Sequence, residues 1–109
     1  VGYKNKEKQK KAQHESYLRL KDIYRENNRR RRKELKEWFA EITKDDVCLF
    51  CGESCKICLD YHHRNPEEKV ANVSTLLANM RSRKMILAEL AKCDCMCSNC
   101  HRKHEAGLI

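Results

Sequence analysis

From residue 4 to residue 43 the chain contains no Pro or Gly and is rich in Lys, Glu, Arg, Gln and Leu, a helix composition. Leu35, Trp38, Phe39 and Ile42 recur at i, i+3, i+4 and i+7, which predicts an apolar packing stripe. Tyr17, Leu20 and Tyr24 make a weaker stripe, read as helix packing or dimer contact ahead of base stacking. The polar run Glu26–Glu34 separates the two. As a single helix, about 40 residues at ~1.5 Å each span roughly 60 Å, so Leu35–Ile42 is expected to dock on the rest of the chain while the remainder reaches outward. After Thr43–Asp46 the helical pattern ends. Val47–Gly52 reads as a tight knuckle, with Gly52 permitting the turn. Ile57–His62 alternates as a short strand, Ile57, Leu59 and Tyr61 on one face and Cys58, Asp60 and His62 on the other. Asn65-Pro66-Glu67-Glu68 is a helix start, with Asn as cap, Pro at the first helical position and acids in the first turn. Ser74 is a second candidate cap. Met85, Ile86, Leu87 and Leu90 predict a helix to about Lys92, Cys93–Met96 a second strand, and Ser98–Glu105 a final helix closed by Gly107. Strand, helical insert, strand and helix make a ββα finger with an expanded hairpin loop. The expected class is α+β, mostly helical.

Composition narrows the picture. A chain of 109 residues with two Phe and one Trp has little to bury, so its core alone is marginal. It begins with Val, as a trimmed chain or a fragment would. No stretch reads as a signal peptide or approaches the ~20 apolar residues of a membrane span. Residues 1–45 carry 15 Lys/Arg against 8 Asp/Glu, and residues 46–109 carry 9 against 8, so +7 of the net +8 lies in the first part. The organisation expected is a basic helical arm over 1–45 and a nearly neutral finger over 46–109. The run Arg29-Arg30-Arg31-Arg32-Lys33 repels itself unless something anionic lies against it. Such an arm suits a polyanion bound without regard to sequence, although a solvated helix is the simpler alternative.

Eight cysteines change the chemistry. Without an export signal, two Cys-x-x-Cys pairs beside histidines point to metal in a reducing, intracellular compartment rather than to disulfides. Cys48, Cys51, Cys97 and Cys100 form two knuckles separated by 45 residues, four soft thiolates suited to a tetrahedral structural Zn²⁺. Cys48/Cys51/Cys55/Cys58 and Cys93/Cys95/Cys97/Cys100 are the alternative partition. It is less favoured, because ligands on a strand converge poorly. On the preferred set, Cys55, Cys58, Cys93 and Cys95 are expected to be buried or half-buried thiols.

Four of the five histidines lie in Leu59-Asp60-Tyr61-His62-His63-Arg64-Asn65-Pro66 and Cys97-Ser98-Asn99-Cys100-His101-Arg102-Lys103-His104. Over residues 47–105 this combination resembles the HNH endonucleases of the ββα-metal (His-Me finger) group, with a zinc site built from four cysteines. The Lys/Arg-rich arm is similar in composition to leaders of small phage and bacterial members. The resemblance implies that His62 binds the catalytic cation, that His63 is the general base, and that His101 is the ligand on the final helix. Neighbouring strand-end residues can point apart, so one imidazole can hold metal while the other accepts a proton. Asp60 is a further candidate, as third ligand or as the group that orients an imidazole. His104 is a candidate for metal or phosphate. Arg64, Arg102 and Lys103 are placed to hold phosphates, with Arg102 also assigned to the catalytic set. The family's middle Asn commonly stands nine residues before the final ligand, and here that residue is Lys92. Either another group takes the place of Lys92 in bracing the loop of the base, with Asn65, Asn72 and Asn99 as candidates, or the brace is of a different kind.

What the resemblance implies is a hydrolase, a metal-dependent DNA endonuclease using Mg²⁺, Mn²⁺ or another divalent cation. It would nick DNA as a monomer or cut both strands as a homodimer, in a bacterial or phage-infected cell. Two other classes compete: a non-catalytic zinc-containing DNA-binding module, and an accessory subunit that docks on a larger nuclease through Leu35–Ile42.

Overall fold

The computed structural model describes residues 5–109. It is α+β and mostly helical, with a long N-terminal helix and a two-stranded antiparallel sheet whose strands are separated by helices. Helix α1 spans Lys6–Ile42. The chain divides into two compact units, with the boundary between Glu34 and Leu35. In the first unit, Tyr17, Leu20 and Tyr24 are exposed, at 58%, 52% and 65% of their full accessibility. Arg29 pairs with Glu26 at 3.2 Å and Arg30 with Glu34 at 4.0 Å, so part of the basic run is neutralised within the helix. No helix among the described residues is long and apolar enough to cross a membrane.

The second unit begins with the last turns of α1. Leu35 is buried with Val73, Leu76 and Ile86, and Trp38 and Phe39 pack against that cluster. Ile42 is left 39% exposed. The Leu35–Ile42 stripe is therefore largely used within its own unit. At the helix end the Thr43 N–H and hydroxyl both donate to the Phe39 carbonyl, at 3.1 and 2.7 Å.

Strands β1 (Leu59–His63) and β2 (Cys93–Cys97) pair in the register Leu59–Cys97, Tyr61–Cys95 and His63–Cys93. β1 starts two residues later than the alternation predicts, because Lys56–Cys58 form a 3₁₀ turn closed by Cys58 N–H donating to the Cys55 carbonyl at 3.0 Å. The Lys56 ammonium holds that turn down through the Thr43 carbonyl at 2.9 Å. Ile57, expected to share a strand face with Leu59 and Tyr61, falls in that turn and is 92% exposed.

Between the strands lie a 3₁₀ turn at Pro66–Glu68, helix α2 (Val73–Ala78) and helix α3 (Arg83–Leu90). The Asn65 side chain caps the first of these, accepting from Glu67 N–H at 3.0 Å, as the Asn-Pro-Glu-Glu pattern predicts. Ser74 is not a cap. It lies inside α2, which Asn72 precedes, while Ser82 caps α3 by accepting from Met85 N–H at 3.2 Å. Helix α4 (Ser98–Glu105) follows β2 directly, and Gly107 past its end has φ +75°, in the left-handed region that favours glycine.

Two small cores thus hold this unit. One is the apolar cluster around Ile86; the other consists of Cys48, Cys97 and Cys100 with Leu59 against them. A core of cysteines gains little from burial alone, so the sheet end of the unit needs another source of cohesion.

Candidate metal centres and catalytic histidines

The first knuckle is closed by Gly52 N–H donating to the Cys48 carbonyl at 3.0 Å, with Gly52 at φ +77°. Leu49 N–H donates to the Cys95 carbonyl at 2.8 Å, which ties the knuckle to β2. The second knuckle is the start of α4, where Cys97 is the cap and its sulfur accepts from Cys100 N–H at 3.4 Å. This brings together Cys48, Cys51, Cys97 and Cys100, with all four sulfurs within 4.8 Å of one another. The Cys51 and Cys97 sulfurs are 3.6 Å apart. Four thiolates around a tetrahedral ion at ~2.3 Å stand about 3.8 Å from each other, so the cluster has the dimensions of a closed site for a metal such as zinc.

The electrostatics of these thiols fit the same group. Burial alone would raise Cys48, but backbone N–H groups of Cys51, Cys97 and Phe50 outweigh it and bring the thiol down to about 6. Sharing of hydrogen bonds with Cys97, together with burial, pushes Cys100 up to about 12. Cys48 is thus favoured as a thiolate while Cys100 is held as a thiol, and ionising all four sulfurs together calls for a divalent cation among them. The alternative partition of the eight cysteines is not the one assembled. Cys55 is exposed, contrary to the expectation of a buried or half-buried thiol, because it stands at the open start of the Lys56 turn. Cys58, Cys93 and Cys95 are half-buried as expected.

A second cluster forms where β1 faces α4. His101, His104 and Glu105 share one face of α4, at i, i+3 and i+4. His62 Nδ1 lies 3.2 Å from His101 Nε2 and 3.4 Å from a Glu105 carboxylate oxygen, and that oxygen is 3.6 Å from His101 Nε2. Ligand atoms at ~2.0–2.2 Å from one ion stand roughly 3.0–3.6 Å apart, so these three atoms match one face of a coordination shell with open positions beyond it. His62, His104 and Glu105 also form a group whose ligand atoms all lie within 4.8 Å. The His104 Nδ1 is buried without a hydrogen-bond partner, an orphan that a cation would satisfy. Burial, reinforced by the charge of His101, pushes His62 down, towards the neutral imidazole that a metal requires.

Asp60 is not in this group. Its carboxylate faces His101 Nδ1 at 3.3 Å, so it orients that imidazole and leaves Nε2 towards His62. Glu105, which sequence reasoning missed, is the carboxylate of the cluster. Its signal was its place one helical turn beyond His101.

His63 points the other way from His62. It is buried, and its Nε2 lies 2.8 Å from the carboxylate of Glu89, itself only 3% exposed. His63 still borders a cleft of about 240 Å³ lined also by His62, His101, Glu105, Lys69 and Asn72. A larger groove of about 620 Å³, walled by Phe39, Leu59 and Leu77, opens beside Asp60 and His101. Arg64 lies on the surface with its side chain 52% exposed, and its guanidinium donates to the Ala91 carbonyl, to the Cys93 carbonyl at 2.9 Å and to Asp94 at 3.1 Å. Arg102 and Lys103 are exposed on α4, as are Arg29, Arg30, Arg31, Arg32 and Lys33 on α1. The chain matches no protein-family model, no curated protein and no solved structure.

Proposed function

We propose that the chain is a metal-dependent DNA endonuclease of the HNH type, hydrolysing phosphodiester bonds to leave 5′-phosphate and 3′-hydroxyl ends. The observation that carries this reading is the division between two adjacent histidines. His62 joins His101, His104 and Glu105, whereas His63 is held apart by Glu89 and opens on the same cleft. A zinc-binding module without catalysis needs the four cysteines but has no use for this second cluster.

On this reading Cys48, Cys51, Cys97 and Cys100 hold zinc, which fastens the first knuckle to α4 and so sets His62 opposite His101. His62, His101 and Glu105, with His104 beside them, hold Mg²⁺, Mn²⁺ or a related divalent ion. When bound there, such an ion would supply positive charge against the phosphoryl group and the leaving 3′ oxygen. His63 takes a proton from the attacking water, a role worth about 10²–10⁴ in rate. Arg102 and Lys103 hold flanking phosphates, and the Arg29–Lys33 run adds affinity independent of sequence. A monomer nicks; a homodimer cuts both strands.

The test is conversion of supercoiled plasmid to nicked or linear form with Mg²⁺ or Mn²⁺, and with chelator. The expected result is metal-dependent conversion that disappears in a folded, zinc-loaded His63→Ala protein. Tight, salt-sensitive DNA binding with no conversion on any substrate would replace this reading with the binding module.

A further inference from the structure

We propose that Glu89, gripped by Lys92, is a positioning residue that fixes His63 as the Nε2–H tautomer and leaves Nδ1 as the free lone pair. Its catalytic meaning rests on the nuclease reading; the tautomer itself does not.

The three side chains form a chain of contacts. Lys92 Nζ donates to one Glu89 oxygen at 2.7 Å, and the other oxygen lies 2.8 Å from His63 Nε2. Val70 N–H adds a longer bond to that second oxygen at 3.4 Å. The Lys92 bond, followed by the one from His63, holds the Glu89 carboxyl down at about 2, so it is ionised at neutral pH. An ionised carboxylate only accepts hydrogen bonds. The proton between Glu89 and His63 therefore belongs to His63 Nε2, and a neutral imidazole then carries none on Nδ1. Among the described residues Nδ1 has no hydrogen-bond partner, and the His63 side chain lines the cleft it shares with His62.

The same lysine braces the segment that follows His63. Its ammonium also donates to the Glu68 carbonyl at 2.9 Å, and its own carbonyl accepts Arg64 N–H at 3.1 Å. Lys92 stands where the family resemblance places an asparagine, and a charged pair does the bracing here. None of Asn65, Asn72 and Asn99 contacts His63 in this way: Asn65 caps a turn, Asn72 lines the clefts and Asn99 is exposed.

Glu89→Gln separates tautomer from packing. The amide oxygen can still accept from Lys92, but its NH₂ now faces Nε2 as a donor and drives the imidazole proton to Nδ1. Long-range ¹H–¹⁵N NMR of the zinc-loaded protein, at a pH where His63 is neutral, reads the tautomer without turnover. The expected result is Nε2–H in the native protein and Nδ1–H in Glu89→Gln, with kcat for plasmid nicking down roughly 100-fold and KM little changed. An Nδ1–H native imidazole, or an unaltered tautomer and unaltered kcat in Glu89→Gln, would overturn the proposal. Should Glu89→Gln fail to fold, the native spectrum decides alone: Nε2–H supports the positioning role and Nδ1–H overturns it. A native protein that binds but never cuts DNA removes the nuclease reading, and the tautomer comparison still tests the positioning.

Discussion

Cys48→Ala and Cys55→Ala differ by seven positions in sequence and are expected to behave as opposites. Cys48 is 2% exposed, belongs to the four-sulfur cluster and accepts from Cys51 N–H at 3.5 Å. Removing it leaves three thiols where zinc is proposed to bind and a small cavity costing about 1–2 kcal/mol by itself. With zinc in the cluster as proposed, the larger loss is the metal. Zinc binding at a four-thiolate site is worth on the order of 10 kcal/mol, the same size as the ~5–15 kcal/mol that holds a whole domain together. Cys48→Ala should therefore release most of its zinc and lose cooperative unfolding of the residue 35–109 unit. Cys55 is exposed and outside the cluster, so its alanine variant should stay within about 0.5 kcal/mol of the native protein and keep its zinc. Zinc per chain by mass spectrometry, Co²⁺ thiolate absorption and thermal unfolding measure all three quantities. Equal loss of zinc from both variants would refute the argument and restore the Cys48/Cys51/Cys55/Cys58 partition.

Other perturbations test other parts of the molecule. Asp60→Asn removes the carboxylate that orients His101, and should weaken Mn²⁺ binding at the histidine cluster about 10–100-fold by calorimetry while zinc content stays constant. Glu89 is held at about 2 against an ordinary 4.5, so it binds fewer protons folded than unfolded below neutrality. Its stabilisation, on the order of 3 kcal/mol, is full above about pH 5 and lost as pH falls towards 2; acid denaturation should show this slope in the native protein and less of it in Glu89→Gln. The Arg31→Gln/Arg32→Gln pair should lower the slope of log K against log salt for DNA binding by roughly 1.8, read by fluorescence anisotropy, with little change in thermal stability.

Much of the fold was legible because local signals agreed. The uninterrupted helical composition before Thr43, the Asn65-Pro66 cap and the knuckle spacing each specify their own segment without help from distant residues. The four-cysteine cluster was legible for a related reason, since thiolates are seldom brought to such spacing for packing. What escaped depended on tertiary placement. Ile57 alternates correctly for a strand, yet Lys56 anchors to the end of α1 and bends the chain into a turn. Glu89 sits three residues after Ile86 and one before Leu90, on the apolar side of α3, and so reads in sequence as an interruption of the stripe. Only the approach of β1 to α3 makes that carboxylate the partner of His63. Arg64, expected to hold a phosphate, also donates to the carbonyls at the end of α3 and the start of β2, contacts that only the folded chain brings within its reach.

The most direct test of the account is a comparison of His62→Ala with His63→Ala, measuring Mn²⁺ affinity and plasmid nicking on the same zinc-loaded preparations. Neither variant should nick; His62→Ala should lose the Mn²⁺ site, and His63→Ala should bind Mn²⁺ as the native protein does. Loss of Mn²⁺ binding from both variants, or nicking by His63→Ala at the native rate, would contradict it.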